Sequence, residues 1–226
     1  LSYFGLAFLL IMFFTYFYTR SWIITAYVVF SGLIPVIWLL GVMPIFNLGL
    51  DPLSILVPFL IFAIAVSHAV QMTNVWKLEM VNKKNSVDSA VASFEKLFLP
   101  GSVALLANSI GFMVIALVDI TVVREMAFVA TIGVTLMIIS NKILLPVLLG
   151  CCPSNIKFKE SINRSKTLET VWKKFSIVIT PLSRKLVLLS SIFLFGIGLF
   201  VMKDLQIGEL KSGVSELKDN SRYNLD

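Results

Sequence analysis

One stretch of this chain gathers most of the groups that can titrate or hydrogen-bond within an otherwise apolar run. Between Leu53 and Trp76 stand Ser67, His68, Gln71, Thr73 and Asn74. On a helix Ser67, Gln71 and Asn74 share one face, at i, i+4 and i+7, and His68 lies at its edge. His68 is the single histidine of the chain. An imidazole takes and releases a proton near neutral pH, so it can relay protons where other side chains cannot. Polar groups inside hydrocarbon are costly and usually face a bundle interior or a water-filled cavity. Two readings of the face therefore stand. In one, His68 is a proton relay with Ser67, Gln71 and Asn74 beside it. In the other, a neutral histidine bonds to a neighbouring helix and holds the packing.

Two further apolar runs carry polar residues. Asn108 and Ser109 stand in the run Phe98–Val118, followed by Gly111. Ser140, Asn141 and Lys142 stand in the run Met126–Leu149, close to Pro146. The long stem of Lys142 can snorkel toward the end of its run or pack along it. Alternatively, Lys142 is a charge partner for the histidine face. With Asn108, it completes the set of proton-relay candidates. Asp119, Arg124 and Glu125 mark a short solvated turn. Cys151 and Cys152 are adjacent, which suits neither a disulfide framework nor a metal site. They read as two reduced thiols or as sites of acylation. No HExxH, GxSxG or P-loop pattern and no usefully spaced carboxylate pair is present. The expectation is no enzymatic activity, no metal and no cofactor.

Composition decides what positions these residues. The chain has 226 residues, 58% of them hydrophobic and 14% charged, with a mean hydropathy of +0.91. Soluble domains hold about 25% charged residues, so a soluble globule and a disordered chain are both excluded. Six apolar runs stand out, at about 1–18, 22–43, 53–76, 98–118, 126–149 and 186–202. Each approaches the roughly 20 residues a helix needs to cross hydrocarbon. The alternating ten-residue strands of a membrane β-barrel are missing. The expected fold is an all-α integral membrane protein, a six-transmembrane-helix bundle over 1–203. Pro58 and Pro146 fall inside two of the runs and predict kinks. Gly111, Ala116, Gly133, Gly196 and Gly198 invite close helix approach.

The net charge of +6 is an orientation signal rather than a case for nucleic acid. Connectors after runs one, three and five carry thirteen of the Lys and Arg residues, and the opposite side five. The richer side is expected to be cytoplasmic, with connectors at 77–97 and 150–185. Within them, Val87–Phe98 (VDSAVASFEKLF) and Leu168–Ile179 have the spacing of amphipathic helices lying at the interface. Ordinary capped connectors are the alternative. The chain opens on Leu1 inside an apolar run and closes on a polar tail. It reads as an internal piece of a longer polypeptide.

Several segments resemble a known superfamily. Val57–Gln71, VPFLIFAIAVSHAVQ, resembles the fourth transmembrane helix of resistance-nodulation-division (RND) transporters, nearest the MMPL-type predicted exporters. Ser109–Leu149 is similar to helices five and six of that group. Its marks are Ile110-Gly111-Phe112, the Val123-Arg124-Glu125 turn, Gly133 and Leu145-Pro146. The tail from Leu205 through Asn224 resembles the start of the second extracytoplasmic domain, which 204–226 would begin. The resemblance implies that the six runs are helices two to seven of an RND-type transporter. It also implies that runs one to five match a sterol-sensing-type unit.

Its functional implication is proton-driven export or relocation of a hydrophobic or amphiphilic, lipid-like substrate. The setting would be the cytoplasmic (inner) membrane, with the chain crossing it several times. A non-transporting lipid sensor or scaffold is the alternative. The expected partners are the lipid bilayer, a hydrophobic small molecule or lipid, and the missing remainder of the polypeptide. A second copy is left open, and nucleic acid is not expected. One departure stands out. Many members carry an Asp, often Asp-Tyr, where this chain has Ser67-His68, so no carboxylate transfers and the proton role passes to His68.

Overall fold

A computed structural model describes residues 2–49, 54–82, 85–153 and 180–204 of the chain. The expected second amphipathic helix at Leu168–Ile179 and the tail beyond residue 204 lie outside the described residues. Among the described residues every regular element is helical. The chain forms two units, 1–161 and 162–226.

The first unit is a bundle. Helix α1 runs over Ser2–Thr19 and α2 over Trp22–Val42, with a 3₁₀ turn at Met43–Phe46. A second 3₁₀ turn at Ser54–Leu56 leads into α3, Val57–Val81. Helix α4 spans Ser86–Ile115 and α5 Thr121–Ile139. A π-helical turn at Ser140–Leu144 joins α5 to α6, Leu145–Gly150. The second unit holds α7, Pro181–Val201, ending in a 3₁₀ turn at Met202–Asp204.

Five segments are long and apolar enough to cross a membrane, at Trp22–Phe46, Ser54–Val81, Ser86–Ile115, Thr121–Gly150 and Ser183–Val201. The apolar segment Gly5–Thr19 of α1 is shorter. The architecture is that of a multi-pass helical membrane protein. Helix α7 supports this within its own unit. It exposes apolar residues all round, including Leu188, Ile192, Phe195 and Phe200, which no water-facing helix does. Its Ser190 and Ser191 hydroxyls donate to the Val187 carbonyl and are satisfied locally.

In the first unit α2, α3, α4 and α5 pack around one core, with α1 against α2 and α3. Ile24, Leu39, Ile61, Met72, Leu105 and Met137 are fully buried there. Two glycines permit the approach. A β carbon on Gly133 would stand 2.7 Å from Ile61 and 3.1 Å from Leu39, and one on Gly32 would stand 2.8 Å from Val66. A β carbon on Gly111, expected to serve the same purpose, would meet nothing within 4 Å. Gly32 carries no helix-packing motif that separates it from other glycines in apolar runs.

One end of the bundle is tied by polar contacts. The Lys77 ammonium donates to the Thr19 carbonyl at 2.8 Å, the C-terminal end of α1, where a helix favours a cation. Trp76 Nε1 donates to the Ser86 carbonyl at 3.1 Å, and Ser86 Oγ to the Leu149 carbonyl at 2.7 Å. Lys96 pairs with the buried carboxylate of Glu79. The ends of α1, α3 and α6 and the start of α4 thus meet at the end that carries Arg20, Lys77 and Lys96.

Two expectations are corrected. Val87–Phe98 is helical but is no separate interfacial helix. It forms the first turns of α4, which runs unbroken through Pro100 to Ile115. Asn85 caps that helix by accepting from the Asp88 amide at 2.7 Å. Small residues Ser86, Ser89, Ala90 and Ser93 seat this part against its neighbours. Pro58 stands in the first turn of α3 rather than in its interior. There its missing N–H has no intrahelical partner to lose, so it starts the helix instead of kinking it.

Candidate functional site

The π-helical turn is the local feature that builds the site. Leu145 donates its N–H to the Ser140 carbonyl, five residues back. The next residue, Pro146, has no N–H to give, so the regular ladder is already broken at this point of the helix. A π turn absorbs one extra residue there, and such turns recur at functional positions. Its effect on the side chains is direct. Three consecutive polar residues, Ser140, Asn141 and Lys142, are all at least 99% buried. A regular α-helix would sweep one of the three toward the outside.

Lys142 therefore does not snorkel. It is 1% exposed, and its Nζ lies against Gly101 of α4, in the space a β carbon there would occupy. The turn packs against α2, α3 and α4. From α3, His68 comes within electrostatic range of the Lys142 ammonium. His68 is half-buried, and its Nδ1 is buried without a hydrogen-bond partner. Asn141 buries both its side-chain oxygen and nitrogen unpaired, and Thr73 Oγ1 on α3 and Ser102 Oγ on α4 are likewise unpaired. Among the described residues no carboxylate lies within ion-pair distance of Lys142.

Of the six sequence-designated residues, only Lys142 is fully buried, and His68 is half-buried within its electrostatic range. Ser67, Gln71, Asn74 and Asn108 are exposed on the outside of the unit. The helical phase explains this. The buried side of α3 is the one bearing Ile61, Ala65, Ala69, Met72 and Trp76. The Ser67–Gln71–Asn74 face is turned away from it, with His68 at the seam. On α4, Ser109 rather than Asn108 faces inward. Its Oγ is 3.2 Å from Thr135 Oγ1, and Thr131 Oγ1 donates to the Ala127 carbonyl at 2.8 Å. The first bond joins α4 to α5 and the second lies within α5, so these hydroxyls are satisfied by packing partners.

Gly101, Ser102 and Asn141 were not designated from sequence. Asn141 adjoins Lys142, but the α-helical period puts neighbours on different faces. The π turn carries both inside together with Ser140. Gly101-Ser102 after Pro100 is a small-residue pair whose meaning depends on what packs opposite.

Chemically, the cluster offers two nitrogen bases and several unused donors and acceptors in a span without a compensating carboxylate. A proton on one of the two bases costs one buried charge. Two would set like charges against each other in a low-dielectric interior. Among the described residues no three of His, Cys, Asp and Glu gather within metal-binding reach. Outside the spans, Cys151 is exposed and Cys152 buried, and burial pushes the Cys152 thiol up to about 11. The chain matches no family model, no curated protein and no solved structure.

Proposed function

We propose that this chain is part of a proton-driven secondary transporter of the RND type, moving a hydrophobic or amphiphilic, lipid-like substrate. The observation that carries the reading is that His68 on α3 lies within electrostatic range of the buried Lys142 on the π turn, and that both helices also bury unpaired polar atoms, His68 Nδ1 and Thr73 Oγ1 on α3 and Asn141 beside Lys142. Ionisable groups in a span mark ion or proton paths by default. The resemblance of Val57–Gln71 and Ser109–Leu149 to RND helices supports the same conclusion. In this mechanism a proton on the pair stabilises one packing of α3 against the π turn and α4, and its loss the other. A proton moves the protein only by binding the two packings unequally. The single proton exchanged at the pair replaces the Asp-based relay of other RND members.

The test is uptake of a fluorescent phospholipid analogue by proteoliposomes of the full-length protein under an imposed pH gradient. His68→Ala and Lys142→Met are expected to abolish the gradient dependence, while Asn108→Ala retains it. Gly101→Leu, which displaces the ammonium, is expected to behave as Lys142→Met does. Gradient-dependent uptake that survives His68→Ala at the wild-type level removes the proton role. Size-exclusion profiles confirm that each variant folds. A second reading is a lipid sensor without transport, favoured by the absence of a carboxylate near Lys142 among the described residues. It predicts that a photoreactive lipid crosslinks to the protein while no gradient-dependent uptake occurs.

A further inference from the structure

At the end of the bundle that carries Lys77 and Lys96, the first turns of α4 and the stretch from the π turn through α6 do not close on each other. They leave a groove of about 430 Å³. One wall is Val87, Ala90, Val91 and Phe94, and the other is Ile143, Pro146, Val147, Gly150 and Cys151. No lining side chain carries a charge or a strong hydrogen-bonding group. Its rims are open. Val87 is 58% exposed, Val91 51%, Ile143 52% and Val147 60%. The walls come together at the floor, where a β carbon on Gly150 would stand 3.7 Å from Ala90 Cβ and 4.0 Å from Val87 Cα, and the larger side chains on either side splay apart to form the rims.

We infer that this groove seats one acyl chain of a phospholipid from the leaflet at that end of the bundle. Three observations select this occupant. Up to Gly150 both walls belong to segments long and apolar enough to cross a membrane, so a lipid tail is the apolar chain at hand. The size excludes a helix, which is about 10–12 Å across with its side chains, whereas a single slender chain fits. The groove also begins where a headgroup would lie. It starts at Val87, two residues beyond the Asn85 cap of α4, and extends inward to Phe94, about 10 Å at the helical rise. In the sequence, Lys83 and Lys84 directly precede Asn85, and lysines flanking an apolar membrane segment attract lipid phosphate. The amphipathic pattern of Val87–Phe98 thus has a specific use, since its apolar face forms one wall of a chain-sized slot. The inference concerns equilibrium occupancy and does not rest on transport.

The test places the full-length protein in phosphatidylcholine nanodiscs doped with a phospholipid bearing a diazirine on one acyl chain. Crosslinked peptides are then mapped by mass spectrometry. Labelling is expected to be several-fold denser on 87–94 and 143–151 than on the equally exposed apolar face at Val103 and Leu106 of the same helix. Val91→Trp and Val147→Trp, each filling the slot from one wall, are expected to cut that labelling about tenfold. Leu106→Trp is expected to leave it unchanged. Labelling spread evenly over exposed apolar positions overturns the inference, as does labelling indifferent to both groove variants. A hydroxylamine-sensitive fatty acyl mass on Cys151 also overturns it, because the chain would then be covalently attached.

Discussion

Cys151 and Cys152 are neighbours in sequence with opposite environments. The first is exposed and the second 3% exposed, with its thiol held up to about 11. Burial disfavours the thiolate, and the thiolate is the reactive form. At pH 8 a thiol of that strength is ionised to about one part in a thousand. A small alkylating reagent is therefore expected to modify Cys151 alone at pH 8. The Cys152 rate should climb about tenfold per pH unit toward pH 11, read by peptide mass spectrometry on the detergent-solubilised protein. Equal modification of the two at pH 8 contradicts the assigned burial. The same contrast between neighbours governs Asn108 and Ser109, and Ser67 and His68. In each pair one residue sits outside and the other inside or at the seam. Residue type singles out such pairs, but only helical phase says which member acts.

At the element scale, packing depends on a few positions without side chains. Gly133 of α5 stands where α2 and α3 press closest, against Leu39 and Ile61. Gly133→Ala forces those side chains aside and is expected to cost about 1–3 kcal/mol, as overpacked cores do. Gly111→Ala on α4 meets nothing within 4 Å and is expected to be neutral or slightly stabilising, since alanine favours helix over glycine by up to about 1 kcal/mol. Thermal unfolding followed by a thiol-reactive dye separates the two, and equal shifts would refute the close approach. The π turn is the other decisive element. It converts the sequence run Ser140-Asn141-Lys142 from a stripe crossing several faces into an inward-pointing group.

For the whole molecule, the alternating direction of the helices brings Arg20, Asn82 and Pro153 to one end of the first unit and Asn47 and Asp119 to the other. The distribution of lysine and arginine predicts that the first end faces the cytoplasm. Reporter fusions after Asn82 and Pro153 are expected to report the cytoplasmic side, and fusions after Asn47 and Asp119 the opposite side. A fusion after Asn47 reading the same side as one after Asn82 would break the proposed topology. Unlike the local predictions above, this one depends on no side-chain contact.

Hydropathy and charge by themselves determined that the chain is helical and multi-pass, and roughly where α2, α3, α5 and α7 lie. Both signals are set by transfer from water to hydrocarbon, which acts residue by residue and needs no partner. They also singled out His68 and Lys142 as costly residues. The tertiary structure decided which of these costs are concentrated together. It turned Ser67, Gln71, Asn74 and Asn108 outward and merged an expected interfacial helix into α4. It set Lys142 against Gly101, within electrostatic range of His68. Those outcomes follow from the rotation of each helix about its axis and from one inserted residue ahead of Pro146. Both are fixed by what packs opposite, and a linear pattern does not contain that information.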